Sequence, residues 1–340
     1  MGIQKIWQKF KDDFLEKDRQ ENYFINHSAS ALVYLGHLFA ENAFDKSQSE
    51  AFIKLICQED TETRQEITNR LQFFLKGMLE ENFHYSAAHT DLMSPTEVRN
   101  NIFAAFWTII SYCNESQNLI PEEESLRNKF TLFIKQSHPP KLNLKYQNLK
   151  NTNFSYANLK EIDFSFANLA NANFIHAKIT HSNFYNADLR EANLYCSDFE
   201  ASFFSFTNFY KTNLAQSSLV KSVLHGANFE EADLSEANLS ECEADNTNFV
   251  GADMMLAKLI EGDFTRSDFR DCNLTRADLS KSNLEEVSFQ NANLYQALLH
   301  DAKIDKVNWE VKSLKKAEFK KATIEESLYL FLQRQGAILK

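Results

Sequence analysis

The chain has 340 residues, a formal net charge of −11, 44% hydrophobic residues and 13% aromatic residues. That apolar content is enough to build cores and excludes a wholly disordered chain. The acidic balance runs through both halves and excludes a general nucleic-acid binder, which needs a cationic face.

The opening MGIQKIWQKF lacks the continuous apolar segment of a signal peptide. The longest apolar runs, residues 31–40 and 102–113, are too short to cross a bilayer. A soluble, cytoplasmic protein without a membrane span is expected, or one exported by a route independent of signal peptides. Gly2 does not make a myristoylation motif, because Ile6 stands where Ser or Thr is required. The cysteines at 57, 113, 196, 242 and 272 form no CxxC pair and no metal-ligand spacing, so free thiols in a reducing compartment are expected, with no metal site and no cofactor.

Apolar residues recur first at helical spacing. Ile3, Ile6, Trp7, Phe10 and Phe14 share one stripe, and Ile67, Leu71, Phe74, Leu75, Met78 and Leu79 another. Ser94-Pro95-Thr96-Glu97 reads as a capped helix start, and Pro121 with Glu122, Glu123 and Glu124 places acids at another helix's positive end. Residues 1–138 are expected to form an all-α bundle of five or six helices. His84 and His89, five apart, do not share a helix face and are read as structural.

All four prolines lie at or before Pro140, and the pattern then changes. Every position ending in 4 or 9 from Leu144 to Ile324 is Leu, Phe, Ile, Met or Trp, except Ala244, which makes 37 units without a slip. A small residue stands two positions earlier in 31 of them, and Asn or Asp lies between in 25. A period of five fits neither a helix nor a strand. Sorted by a step of twenty, one column reads Phe209, Phe229, Phe249, Phe269, Phe289, Trp309 and its neighbour is almost all leucine, which points to four units per turn.

This pattern resembles the pentapeptide-repeat family, whose unit is A(D/N)LXX. The resemblance implies a right-handed quadrilateral β-helix over residues 142–324, about nine coils. The whole fold is then an α+β two-domain protein: an N-terminal helical bundle, the β-helix, and a capping helix over 325–340. Asn or Asp before the central residue can bond the turn backbone, and the lack of proline keeps the ladder donors.

Nothing in the sequence assembles a catalytic site. His176 and Cys196 fall one coil apart in an outward column, without an oxyanion site, and Cys242 and Cys272 take the small inward position. A solenoid presents surfaces rather than deep pockets. One surface is aromatic: Tyr146, Phe166, Tyr185, Phe203 and Phe206 gather on one face, with Tyr210 pointing outward beside them, while Met255 and Leu256 belong to a smaller apolar outcrop that wraps one coil beside the acids. Patches of this kind mark interfaces, whether with the chain's own helices, a partner or a second copy. A second surface is acidic: Glu230, Glu231, Asp233, Glu236, Glu241, Glu243, Asp245 and Asp253 lie in residues 222–257, which hold no Lys or Arg.

The expected function is a non-enzymatic scaffold for a protein partner, with no direct nucleic-acid binding. Three alternatives stand beside it. One is a bacterial effector, exported without a signal peptide, that binds a host protein. Another is a DNA-mimicking gyrase binder of the kind the resembled family includes, and the third is an activity within the helical domain.

Overall fold

The computed structural model of the chain describes residues 2–15, 31–32, 35, 51–52, 54–56, 58–67, 69–70, 131, 142–324 and 326–339. Two compact units partition the chain: residues 1–137 with 142–148, and residues 138–141 with 149–340. In the first unit, α1 (Ile3–Leu15) buries Ile6, Trp7, Phe10 and Phe14 along one stripe, as helical spacing requires. Trp7 and Phe10 meet Phe52 edge-on, at 5.5 and 5.8 Å. The Trp7 indole donates to Glu59 Oε1 at 3.0 Å, and Lys11 Nζ reaches the same oxygen at 2.9 Å. Asp60 Oδ1 accepts the Thr63 backbone N–H at 2.7 Å and so caps helical residues 61–67. Leu71 to Leu79, His84, His89, the Ser94–Glu97 cap and Pro121–Glu124 lie outside the described residues.

The second unit is a solenoid. Parallel bridges join Asn153 to Asn173, Asn158 to Lys178 and Asp163 to Asn183, and the twenty-residue step continues to Lys303 and Thr323. Sides of five residues therefore close into coils of four sides. Each side contributes one bridged residue, so the β-helix is a stack of single rungs rather than of extended strands. Within a rung, Phe154 N–H donates to Asn173 O at 2.7 Å and Asn173 N–H to Thr152 O at 2.9 Å.

The corners explain the period. At most corners the carbonyl of the central residue accepts the N–H three residues on, as Phe154 O does from Ala157 at 3.0 Å; at Ile162 and Thr247 that N–H donates instead to Ser182 Oγ and Ser267 Oγ. The second residue past the centre has positive φ at every corner from Tyr146 to Lys321 except Val311, the signature of a type II turn. At the non-glycine corners φ is 51° to 62°, a region that costs an L-residue about 1–2 kcal/mol. Two bonds offset that cost. The turn bond is one; the other comes from the Asn or Asp before the centre, whose Oδ1 accepts the N–H two residues on, as at Asn153 to Ser155, 3.0 Å, and Asp163 to Ser165, 2.9 Å. Val311 departs because a β-branched side chain tolerates positive φ poorly.

Inside, the central rings stack coil on coil. Phe209 and Phe229 lie 4.4 Å apart at 7°, Phe229 and Phe249 5.1 Å at 13°, and Phe249 and Phe269 4.7 Å at 14°, close to the spacing of adjacent strands. The small inward residue does more than make room. Thr207 Oγ1 donates to Phe184 O at 2.6 Å and Thr212 Oγ1 to Leu189 O at 2.7 Å, which ties these two corners to the coil before them. Cys272 Sγ takes the same place against Phe249 O at 2.7 Å. At Gly262 even a methyl is too much: a Cβ there would lie 2.6 Å from Cε2 of the buried Phe264 ring.

The C-terminal end differs from a plain helical cap. After α2 (Glu326–Arg334), anchored by the buried Leu332, the chain returns to the ladder. Gly336 takes a corner's positive φ of 85°, and Ile338 bridges Glu318, again twenty residues earlier. Ala337-Ile338-Leu339 thus forms a further rung in register, with a helix inserted before it.

Gly262→Ala is expected to lower stability by about 1–3 kcal/mol through overpacking. Chemical denaturation against wild type measures it, and an unchanged midpoint contradicts the assigned contact.

Candidate interaction surface

The four sides are named by their central residues. Side I carries Phe164, Phe184, Phe204, Leu224, Ala244 and Phe264; side II carries Phe209 to Trp309; side III carries Phe154, Phe174 and Leu194 onward; side IV carries Leu159, Ile179 and Phe199 onward. Alternation within each five-residue unit buries the centre and the small residue, so the two turn residues and the bridged residue face outward.

Side I gathers Phe166, Tyr185, Phe203 and Phe206. Tyr185, Phe203 and Phe206 are 41%, 54% and 49% exposed, large values for rings of this size; Phe166 is half-buried. Phe166 meets Tyr185 edge-on at 5.4 Å, Tyr185 meets Phe206 at 5.9 Å, and Phe206 meets the His225 ring at 5.2 Å. His225 Nδ1 then lies 2.9 Å from Asp245 Oδ2. Asn246 Nδ2 donates to the same oxygen at 2.7 Å, and Arg266 Nε donates to Asn246 Oδ1 at 3.1 Å. A ribbon of rings therefore passes into a hydrogen-bonded polar network along one face.

Gly226 makes the hand-over possible. Its φ of 63° is no reason for glycine, since other corners hold Lys, Glu or Phe at the same value. The reason is the Phe206 ring, whose Cε1 and Cδ1 would lie 2.7 and 2.8 Å from a Cβ at 226. One edge of the ring packs against the glycine.

The remaining candidates fall elsewhere. Tyr146 is half-buried and belongs with the first unit. Tyr210 is half-buried on side II, with Lys211 Nζ 5.0 Å from its ring centre. Met255, 38% exposed, and the half-buried Leu256 lie on side III.

The acids do not make one patch either. Glu230 and Glu231 lie on side II, Asp233, Glu236 and Asp253 on side III, Glu241 on side IV, and Glu243 and Asp245 on side I. Several have partners one coil away: Lys211 with Glu231 at 3.2 Å, Lys221 with Glu241 at 3.6 Å, and Gln216 Nε2 with Glu236 at 3.2 Å. Further along side I, Lys303 lies 2.6 Å from Glu285 and holds that carboxyl below its usual range.

A second outward cluster surrounds the His176–Cys196 column with residues the sequence reading did not single out. On side III, Tyr156 is 72% exposed and stacks on His176 at 5.2 Å, and His176 meets Tyr195 edge-on at 6.0 Å. Tyr195 Oη and Cys196 Sγ both donate to Gln216 Oε1, at 3.0 and 3.2 Å. The corner column 156, 176, 196, 216, sorted by twenty, carries this signal. The thiol finds an amide rather than a base. Burial pushes the Cys242 and Cys272 thiols well up from their ordinary value. A cavity of about 590 Å³ beside Asp271, Asn291 and Lys312 is lined largely by groups already bonded to one another. No group of three or more metal-ligating side chains occurs among the described residues.

Gly226→Ala is expected to cost about 1–3 kcal/mol through overpacking against the Phe206 ring and to separate the Phe206 and His225 rings, seen by NMR as loss of their cross-relaxation; retained contact contradicts the assigned role. Alkylation of the native protein should modify Cys196 rapidly, whereas Cys242 and Cys272 should react only after denaturation. Peptide mass spectrometry reads the order.

Among solved structures, HetL, a pentapeptide repeat protein involved in heterocyst differentiation regulation in the cyanobacterium Nostoc, is 24% identical. The match covers 59% of this chain and 84% of that one at a TM-score of 0.44. A trypsin-treated QnrB1, a plasmid-mediated fluoroquinolone resistance protein, is 15% identical over 57% and 85% of the two chains, TM-score 0.29. A pentapeptide repeat protein of the Arabidopsis thaliana thylakoid lumen is 26% identical over 38% and 68%, TM-score 0.15. No curated protein is significantly similar to the chain. The family profile described as pentapeptide repeats (8 copies) matches segments from 148–184 to 232–271, and the one described as a pentapeptide repeat region matches 262–330. Together they span residues 148–330, more than half of the chain. With the five-residue period, the four-sided coil and the stacked central rings, the chain belongs to the pentapeptide-repeat family.

Proposed function

We propose that the chain is a non-enzymatic scaffold that binds a protein partner through side I of its solenoid. The observation that carries this reading is the ribbon of half-exposed rings at Tyr185, Phe203 and Phe206. Leaving three large rings in contact with water is unfavourable, and covering them returns about 25 cal/mol for each Å² of apolar surface removed from water. Rings also bring little conformational entropy to lose, which is why they anchor contacts. The adjoining network of His225, Asp245, Asn246 and Arg266 supplies a polar rim to such a core.

Residues 1–138 act in this reading as a separate helical domain and 325–340 as the end cap. A host protein met after signal-peptide-independent export is the same reading with the partner in another cell. The acids of residues 222–257 motivate the competing one, a DNA mimic directed at gyrase. Their distribution over four sides, and the pairing of Glu231, Glu241 and Asp245 with cations or His225, favour the scaffold, because a mimic needs continuous negative charge along one surface.

The double variant Phe203→Ser, Phe206→Ser tests the proposal. It is expected to weaken partner capture at least tenfold, as loss of an anchor worth about 2 kcal/mol requires, with an unchanged melting profile, while Met255→Ser on side III leaves capture intact. Equal capture by all three proteins overturns it. Gyrase supercoiling inhibited at micromolar protein would instead support the mimic.

A further inference from the structure

Among the described residues, ion pairing follows the twenty-residue step along the solenoid and stops near its C-terminal end. Lys211 pairs with Glu231, Lys221 with Glu241, Lys281 with Glu261 and Lys306 with Glu286. Lys312, Lys315, Lys316, Lys320 and Lys321 are all exposed and join none of the ion pairs among the described residues. The ladder gives the reason. One coil earlier stand Ala292, Tyr295, Gln296, His300 and Asp301, a single acid among five, and after Thr323 the chain enters α2 instead of a coil that would bring more. Residues 311–340 hold seven basic and three acidic residues in a chain of net charge −11.

Apolar side chains are exposed at the same end. Lys316 N–H donates to Gly336 O at 3.0 Å, which joins the lysine-bearing corner to the last rung. Ile338 on that rung is 44% exposed, and Tyr329 and Leu330 of α2 are 45% and 60% exposed. Leu332 is fully buried, and two residues of helix turn Leu330 about 200° away from it, so its exposure follows from α2's own anchoring. Unpaired cations beside outward Leu, Ile and Tyr match the boundary between lipid headgroups and acyl chains, where phosphate and carboxylate groups meet lysine and hydrocarbon meets leucine. A soluble polyanion would neutralise the lysines and leave Leu330 and Ile338 in water. No helix among the described residues is long and apolar enough to cross a membrane, so the contact is peripheral.

We propose that the C-terminal end of the solenoid, Lys315, Lys316, Lys320 and Lys321 with Leu330 and Ile338, docks on an anionic lipid bilayer. This surface is separate from the side I rings, and it stands or falls independently of them.

The test is co-sedimentation of the full chain with vesicles of phosphatidylcholine alone or with about one-third phosphatidylserine, at low and high salt. Binding is expected to the anionic vesicles only and to fall as salt rises, a readout on the wild-type protein that no variant's folding can confound. Lys315→Gln with Lys316→Gln is expected to lower partition on the order of 25-fold, about fivefold per lysine. Leu330→Ser is expected to lower it several-fold without changing its salt dependence. Equal binding to both vesicles, or none to the anionic ones, overturns the proposal. So does binding that soluble polyphosphate abolishes while Leu330→Ser leaves it untouched, because the ligand is then a soluble anion.

Discussion

The corner is the constraint on which the rest of this solenoid depends. A chain that must turn every five residues cannot pair a strand with its neighbour over any length, so each coil holds the next through one rung per side. Each corner places a residue at positive φ, at a cost of about 1–2 kcal/mol. A turn bond, an Asx bond and the rung offset that cost together. The small inward residue adds a fourth tie at several corners where it is Ser, Thr or Cys, as at Thr207 and Cys272. Where a unit loses its fit, as at Val311, the positive-φ corner is lost with it.

The same geometry separates stability from recognition. Central rings and small residues are consumed by the interior, while corner residues point outward and tolerate almost any side chain, as Glu, Lys, Phe, His and Cys at equal φ demonstrate. Outward residues twenty apart become neighbours, so a surface is composed by column. The Phe206–Gly226 pair illustrates how one column changes character: a ring packed against a glycine ends the aromatic ribbon and hands it to His225 and Asp245. Lysine–glutamate steps neutralise other columns, and where the step meets Ala292 or Tyr295 instead of an acid, the last lysines find no ion pair among the described residues.

Legibility followed the same division. The stack Phe209, Phe229, Phe249, Phe269 was readable because four-sided coils convert a twenty-residue periodicity directly into contact. The acidic stretch was read as one patch, yet consecutive acids in a square coil face different ways, and Glu231, Glu241 and Asp245 end on three sides. Tyr156 escapes that reading because its column is weighed there only for a nucleophile, at His176 and Cys196, and not for stacked rings. Ala337 to Leu339 were taken as part of a helix, although they keep the repeat's register across the nine residues of α2.

By itself the sequence determined the repeat, its coil of four sides, the inward and outward positions and the amphipathic stripe of α1, because each is a local periodicity and local periodicity dictates which side chains leave water. Only the tertiary structure decided which outward groups meet: that Phe206 packs on Gly226, that the Cys196 thiol donates its hydrogen bond to Gln216 rather than to His176, and that the lysines of the last coil find no acid among the described residues. Those outcomes depend on side-chain reach between coils twenty residues apart, where rotamer and neighbour, and not residue type alone, set the contact.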